Sequence, residues 1–227
     1  AWGWGDEHRA QPLVVSITQS TELGTNYTPE EVRAISDTAH AQGMHVHLDG
    51  SRIANAAASL GVPLRAFTTD AGVDVISLGG TKNGALGAEA IVVLRTEASE
   101  GLRYLRKLNM QLGSKQRFAS AQLIALFEGE LWRDSASHAN AMATRLRAAL
   151  VDAAATGRLS FTQATESNAV FARLPFAAAE ALRARFGFYD WAGPFTDGTV
   201  EVRWMCSWDT TTDDVDAFAE AITTALA

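Results

Sequence analysis

The sequence predicts an α/β protein: a mainly parallel sheet with flanking helices, followed by a smaller α+β domain. Three observations carry this. Short apolar runs at 14–19, 44–48 and 73–78 are separated by stretches with helical spacing, the order that builds a helix-covered sheet. The runs VDVISL (73–78) and AIVVL (90–94) are too apolar to have a wet face, as expected of parallel or central strands. From about Leu102 the character changes, and residues 115–155 become rich in Ala, Leu, Arg and Glu. The division is set at 1–110 for the sheet domain and 111–227 for the long helices and the small domain.

The elements follow in order. VVSITQ (14–19) is β-branched and reads as a strand. The next helix has explicit start signals: Thr28 as N-cap, Pro29 at the first helical position and Glu31 completing a capping box. Val32, Ile35 and Ala39 keep the helical spacing, and Gly43 stops it. MHVHL (44–48) is a strand running into Asp49-Gly50, and SRIANAAASLG is a short helix closed by Gly61. After the strands at 73–78 and 90–94 come one or two long helices within 115–155. LSFTQ and AVFARL are strands, AAAEALRARFG a helix and VEVRWMCSW a strand. A last helix starts near Thr212, capped by Thr211 or Thr212, with Asp213 and Asp214 favourable to its dipole.

Composition narrows the function classes. The net charge of -7 disfavours nucleic acid and anionic membranes as partners. No apolar run is long enough to span a bilayer, and no secretory signal is visible. Cys206 is the only cysteine, which suits a reducing, cytoplasmic location. No histidine stands at metal-ligand spacing with a cysteine, so no metal site is expected. His45 and His47 share one strand face and read as residues packed under a helix. Trp2, Trp4, Trp132, Trp191, Trp204 and Trp208 are scattered and read as core or interface packing.

Ligands of open α/β sheets gather outside the carboxyl ends of the strands. Asp49 and Arg52 follow one strand, and Lys82 follows another in GGTKNG. Asp49 and Lys82 read either as a salt bridge or as parts of a reactive site, since a desolvated lysine attacks carbonyls. The glycines around Lys82 read either as clearance for a flat cofactor or as a tight turn. Arg203 reads as one half of a surface ion pair.

The combination of HLDGSRIANA, DVISLGGTKNGALGAEAIVVL, QLGSKQRFASAQ and VEVRWMCSWDTT resembles the low-specificity threonine aldolases. These are pyridoxal-phosphate (PLP) enzymes with the aspartate aminotransferase-like fold, and the match runs from about Val14 to the C-terminus. The resemblance implies that Lys82 carries PLP as a Schiff base and that Asp49 pairs with the pyridine nitrogen. It assigns Arg52 and Arg203 to the substrate carboxylate. Arg52, Thr81 and Arg117 are further implied cofactor contacts. QSTELGT carries Glu22 where the commoner pattern has a histidine, so Glu22 joins Lys82 and Asp49 among the catalytic residues. The base that takes the β-hydroxyl proton stays unidentified. The sheet domain is then a partial PLP-binding domain, because the family's N-terminal third has no counterpart, and the chain is expected to be a fragment. The implied reaction is cleavage of a β-hydroxy-α-amino acid, of the threonine, allo-threonine or phenylserine type, to glycine and an aldehyde. A homodimer or homotetramer is implied as well. The alternatives are a PLP-dependent beta-eliminating lyase on the same fold and a non-catalytic fragment.

Overall fold

A computed structural model describes residues 5–227; Trp2 and Trp4 lie outside the described residues. The first sheet contains β1 (Val14–Thr18), β2 (His45–Gly50), β3 (Val75–Gly79) and β4 (Glu89–Val93), in the order β1-β2-β3-β4. β1, β2 and β3 run parallel, and β4 is antiparallel to β3. The register sets Thr18, Asp49 and Ser77 side by side at the carboxyl end.

One face of this sheet is dry. Ile17, Val46, Leu48 and Ile76 are buried there against α1 (Pro29–Ala41) and α2 (Ile53–Leu60). α1 has the capping box read from the sequence: Thr28 Oγ1 accepts from the Glu31 N–H at 3.2 Å, and the Glu31 carboxylate accepts from the Thr28 N–H at 2.8 Å. α2 ends on Gly61 at φ 66°, a left-handed conformation that costs glycine little.

The opposite face carries Ser16, His47, Asp49, Ser77 and Ile91. Here the sequence reading needs correction. The strand at 90–94 is antiparallel, and its Ile91 is 63% exposed. Apolar composition alone does not give a strand its direction. The histidines are also corrected. His47 bridges three strands, through Nδ1 to Ser16 Oγ at 2.8 Å and Nε2 to Ser77 Oγ at 2.9 Å. His45 is half-exposed, 3.8 Å from Asp74. Neither packs under a helix.

Asp74 locks the amino end of the sheet. It is 1% exposed and accepts from the Val46 N–H at 2.6 Å and from His40 Nε2 at 2.9 Å, with Arg95 Nε 3.4 Å away. Burial pushes this carboxyl upward, but the His40 and Val46 hydrogen bonds and the charges of His40 and Arg95 outweigh it and hold it below its ordinary value.

α3 (Leu102–Leu108) and α4 (Gln116–Phe127) lead to α5 (Leu131–Ala149), which serves two cores. Its Trp132 and Ala136 enter the first core, while Met142, Ala143 and Leu146 enter the second. Asn55 and Asn140 exchange amide hydrogen bonds at 3.1 and 2.9 Å and tie α2 to α5. The second sheet joins β5 (Ser160–Phe161), β6 (Ala169–Pro175), β8 (Thr199–Met205) and β7 (Tyr189–Ala192) in that order, all antiparallel. The short α6 (Val151–Ala155), then α7 (Phe176–Arg183) and α8 (Thr212–Leu226), pack with α5 on one face of it. Along β8, Val200, Val202 and Trp204 point into that core, so period two turns Arg203 to the other face. Among the described residues no helix is long and apolar enough to cross a membrane.

Candidate active site

The carboxyl end of β2 supplies two charged groups within four residues. Asp49 Oδ1 accepts the Ser51 N–H at 2.9 Å, and the Asp49 carbonyl accepts the Gln19 N–H at 2.8 Å. Its second carboxylate oxygen has no hydrogen-bond donor among the described residues. Arg52 precedes α2, and its Nε is buried without an acceptor. Burial lowers the pKa of its guanidinium, and the charge of Arg203 lowers it further, while Glu22 and Asp49 oppose both effects. Residues from the two ends of the chain therefore feel one another here.

Arg203 reaches this place from β8. Its guanidinium lies over the Trp191 ring, 4.6 Å from the centroid, and Nη1 is 3.5 Å from Glu22 Oε2. Glu22 sits on the loop between β1 and α1, and that loop is firmly tied. Gln19 is fully buried and clamps the backbone of Tyr27 from both sides, at 2.7 and 3.0 Å. Thr21 and Thr25 join hydroxyl to hydroxyl at 2.7 Å. Two further links reach the segment before β6: Asn26 to Glu166 at 2.8 and 2.9 Å, and Ser167 Oγ to the Gly24 carbonyl at 3.0 Å. Gly24 has φ +76°, and a Cβ there would lie 3.2 Å from Ala169 Cβ and 3.3 Å from Phe171.

Lys82 lies in a 3-10 turn, Thr81–Asn83, directly after β3. It is exposed and forms no ion pair or hydrogen bond among the described residues, so the Asp49–Lys82 salt bridge left open by the sequence is absent. The turn is pinned from below by buried Asn83, whose Nδ2 donates to the Trp132 carbonyl at 2.8 Å. Two of the glycines are required by the chain's own packing. A Cβ on Gly79 would lie 2.8 Å from Ser51 Cα, and one on Gly80 would lie 2.6 Å from the Ala88 carbonyl oxygen. Gly84 has φ +109°, and a Cβ there would lie 3.5 Å from the Trp208 ring.

Thr81 donates its N–H to Glu89 Oε1 and accepts the Ala88 N–H, each at 3.2 Å. Arg117 is exposed on the first turn of α4 and donates from Nε to the Ser114 carbonyl at 3.0 Å. Thus Asp49, Arg52, Glu22 and Arg203 converge, whereas Arg117 forms no hydrogen bond or ion pair with them among the described residues. Sequence reasoning missed Trp191, Glu166 and Asn26. The first shelves Arg203, and the other two hold the Glu22 loop. The only signal was that a tryptophan and a strand lay in the same C-terminal segment.

The donor set fits an aldehyde-bearing ring cofactor with a basic nitrogen. Among the described residues, an amine without an ion pair, a carboxylate with one open oxygen and a guanidinium whose buried Nε lacks an acceptor are the groups such a cofactor and an amino acid would engage.

Comparison with known proteins bears on this set. Residues 4–174 match the beta-eliminating lyase family. The low specificity L-threonine aldolase of Pseudomonas aeruginosa is 42% identical over 218 residues, spanning 96% of this chain and 61% of that protein. The enzyme of the same description from a Pseudomonas species is 41% identical over 206 residues, spanning 90% of this chain and 57% of that protein. The chain thus spans about three fifths of the length of these relatives. The solved threonine aldolase of Leishmania major superposes with a TM-score of 0.88 at 30% identity, covering 98% of this chain and 64% of that one. A serine palmitoyltransferase from Sphingomonas wittichii, 14% identical with a TM-score of 0.66, shares the fold.

Proposed function

Because the chain belongs to the beta-eliminating lyase family, we propose that it acts in a PLP-dependent aldolase that cleaves a β-hydroxy-α-amino acid to glycine and an aldehyde. The observation that carries this is the convergence of Asp49, Arg52 and Arg203 at the carboxyl end of the first sheet, with Lys82 on the neighbouring turn. The threonine aldolases among its relatives support the choice of reaction.

When bound, PLP supplies the electron sink that takes up the electron pair of the broken Cα–Cβ bond. The residues do the rest. The open oxygen of Asp49 would pair with the ring nitrogen and keep it protonated, because an anion there favours the cationic form. The Lys82 amine would hold the cofactor and, once released from it as an ammonium, would supply the proton that the glycine carbon takes up. Arg52 and Arg203 hold the substrate carboxylate with forked N–H donors, which fixes the orientation of the amino acid. Thr81 and Arg117 are proposed cofactor contacts, and Glu22 a group beside the substrate.

Product analysis tests the reading. Glycine plus an aldehyde is expected, whereas ammonia plus a keto acid would favour the beta-eliminating alternative that the family description also allows. Protein mixed with PLP should absorb in the visible, and Lys82→Ala should abolish the band. We further propose a homodimer or homotetramer in the cytoplasm. Exposed apolar side chains on α3 and the residues after it support the first, and the single, buried, free Cys206 the second.

A further inference from the structure

We propose that Glu22 sets the charge class of the substrate: it fills the anion place on Arg203, the second of the arginine pair, so the site takes amino acids with one carboxylate and an uncharged side chain. The proposal rests on the reading of Arg52 and Arg203 as the carboxylate site.

Two guanidiniums from opposite ends of the chain approach closely enough for Arg203 to disfavour the charge on Arg52. Each needs an anion, but they are not equivalent. Arg203 already has one, with Nη1 3.5 Å from Glu22 Oε2, and its plane rests on Trp191. Arg52 is unfinished, because its Nε is buried with no acceptor. A buried donor without a partner is costly, so an incoming carboxylate gains most by docking on Arg52.

With Asp49 and Glu22 included, the cluster holds two cations and two anions. One substrate carboxylate completes Arg52. A second would have to lie beside Glu22 or push it off Arg203. Backing away is not open to the Glu22 backbone, since its loop is tied by Gln19 to Tyr27, by Asn26 to Glu166 and by Ser167 to Gly24. The Glu22 side chain is 72% exposed, so its charge lies at the surface beside Arg203 rather than inside the protein wall. A dicarboxylic amino acid therefore meets a like charge whose loop cannot retreat, whereas a hydroxylated neutral side chain meets a hydrogen-bond acceptor. Exclusion of this kind is specificity by repulsion.

The test is an equilibrium titration of PLP-loaded protein with glycine and with L-aspartate, followed by cofactor absorbance. In the unaltered protein, aspartate should bind roughly tenfold or more weakly than glycine, the size expected of a like-charge contact near a protein surface. Glu22→Gln should remove most of that gap by tightening aspartate, and Glu22→Asp, which keeps the charge, should restore it. A gap unchanged in Glu22→Gln, or no gap in the unaltered protein, overturns the proposal. Arg52→Gln separates the underlying reading: if it binds glycine as well as the unaltered protein does, the arginine pair is not the carboxylate site, and both readings fall together.

Discussion

Gly80 would bring a Cβ to 2.6 Å from the Ala88 carbonyl oxygen, a backbone atom that cannot swing away. Gly80→Ala should therefore destabilise the protein by roughly 1–3 kcal/mol, the usual cost of overpacking, and should shift the turn that carries Lys82. Denaturant unfolding reads the first effect; a weakened visible band with PLP reads the second. An alanine variant as stable as the parent would show that the turn has room to move. Asp74 is the matching case at the other end of the sheet. Its folded pKa lies below the ordinary 3.8, so its contribution is fully present above 3.8 and is lost as pH falls from there through the lower folded value. Asp74→Asn should keep part of the hydrogen bonding but lose the charge opposite His40 and Arg95. Its stability should fall by about 1–3 kcal/mol at neutral pH. Below the folded pKa of Asp74 the difference between parent and variant should shrink, which unfolding curves at several acid pH values will check.

The start of α1 was legible to the residue, because a capping box is a local pattern: Thr28, Pro29 and Glu31 need only one another. Thr28→Ala should cost about 1 kcal/mol, measured as a lower denaturant midpoint with an unchanged slope. The Thr211–Asp214 box at the start of α8 is equally local. Other elements were hidden for physical reasons. The apolar run in β4 reveals neither its direction nor the exposure of Ile91, and its antiparallel pairing depends on the turn built from GGTKNGALGAE. β7 has four residues, and its place beside β8 comes from pairing with Arg203, Val202 and Glu201 rather than from its own composition. The site shows the same split. Asp49, Arg52 and Lys82 were readable because strand ends announce themselves. The pairing of Glu22 with Arg203 was not, since it joins residues nearly the length of the chain apart through a loop whose ties, Asn26–Glu166 and Ser167–Gly24, are themselves long-range.

At the scale of the whole molecule, α3 is the element that the chain's own packing does not account for. It has seven residues and none is buried. A helix that short is marginal in water without tertiary contacts. Its apolar side chains nonetheless face outward with those that follow: Tyr104, Leu105, Leu108, Met110, Leu112 and Phe118 are all exposed, Leu108 at 76% and Met110 at 84%. Single exposed apolar residues need no explanation, but six large ones within fifteen residues do. A second copy of the chain burying this strip would remove the apolar surface from water and give α3 the tertiary contacts it lacks. A stable dimer needs about 800 Å² from each partner, more than one seven-residue helix offers, so the contact should extend onto Phe118 at the start of α4. The PLP-loaded protein should sediment as a dimer or a dimer of dimers. Leu108→Glu combined with Met110→Glu should weaken association by roughly a hundredfold, because two charges would enter the centre of the interface. Both positions are exposed in the chain itself, so helical content and thermal unfolding at high dilution should stay close to the parent's. A double variant that associates as tightly as the parent would move the interface elsewhere, and a parent that is monomeric at micromolar concentration would leave the strip without its second copy.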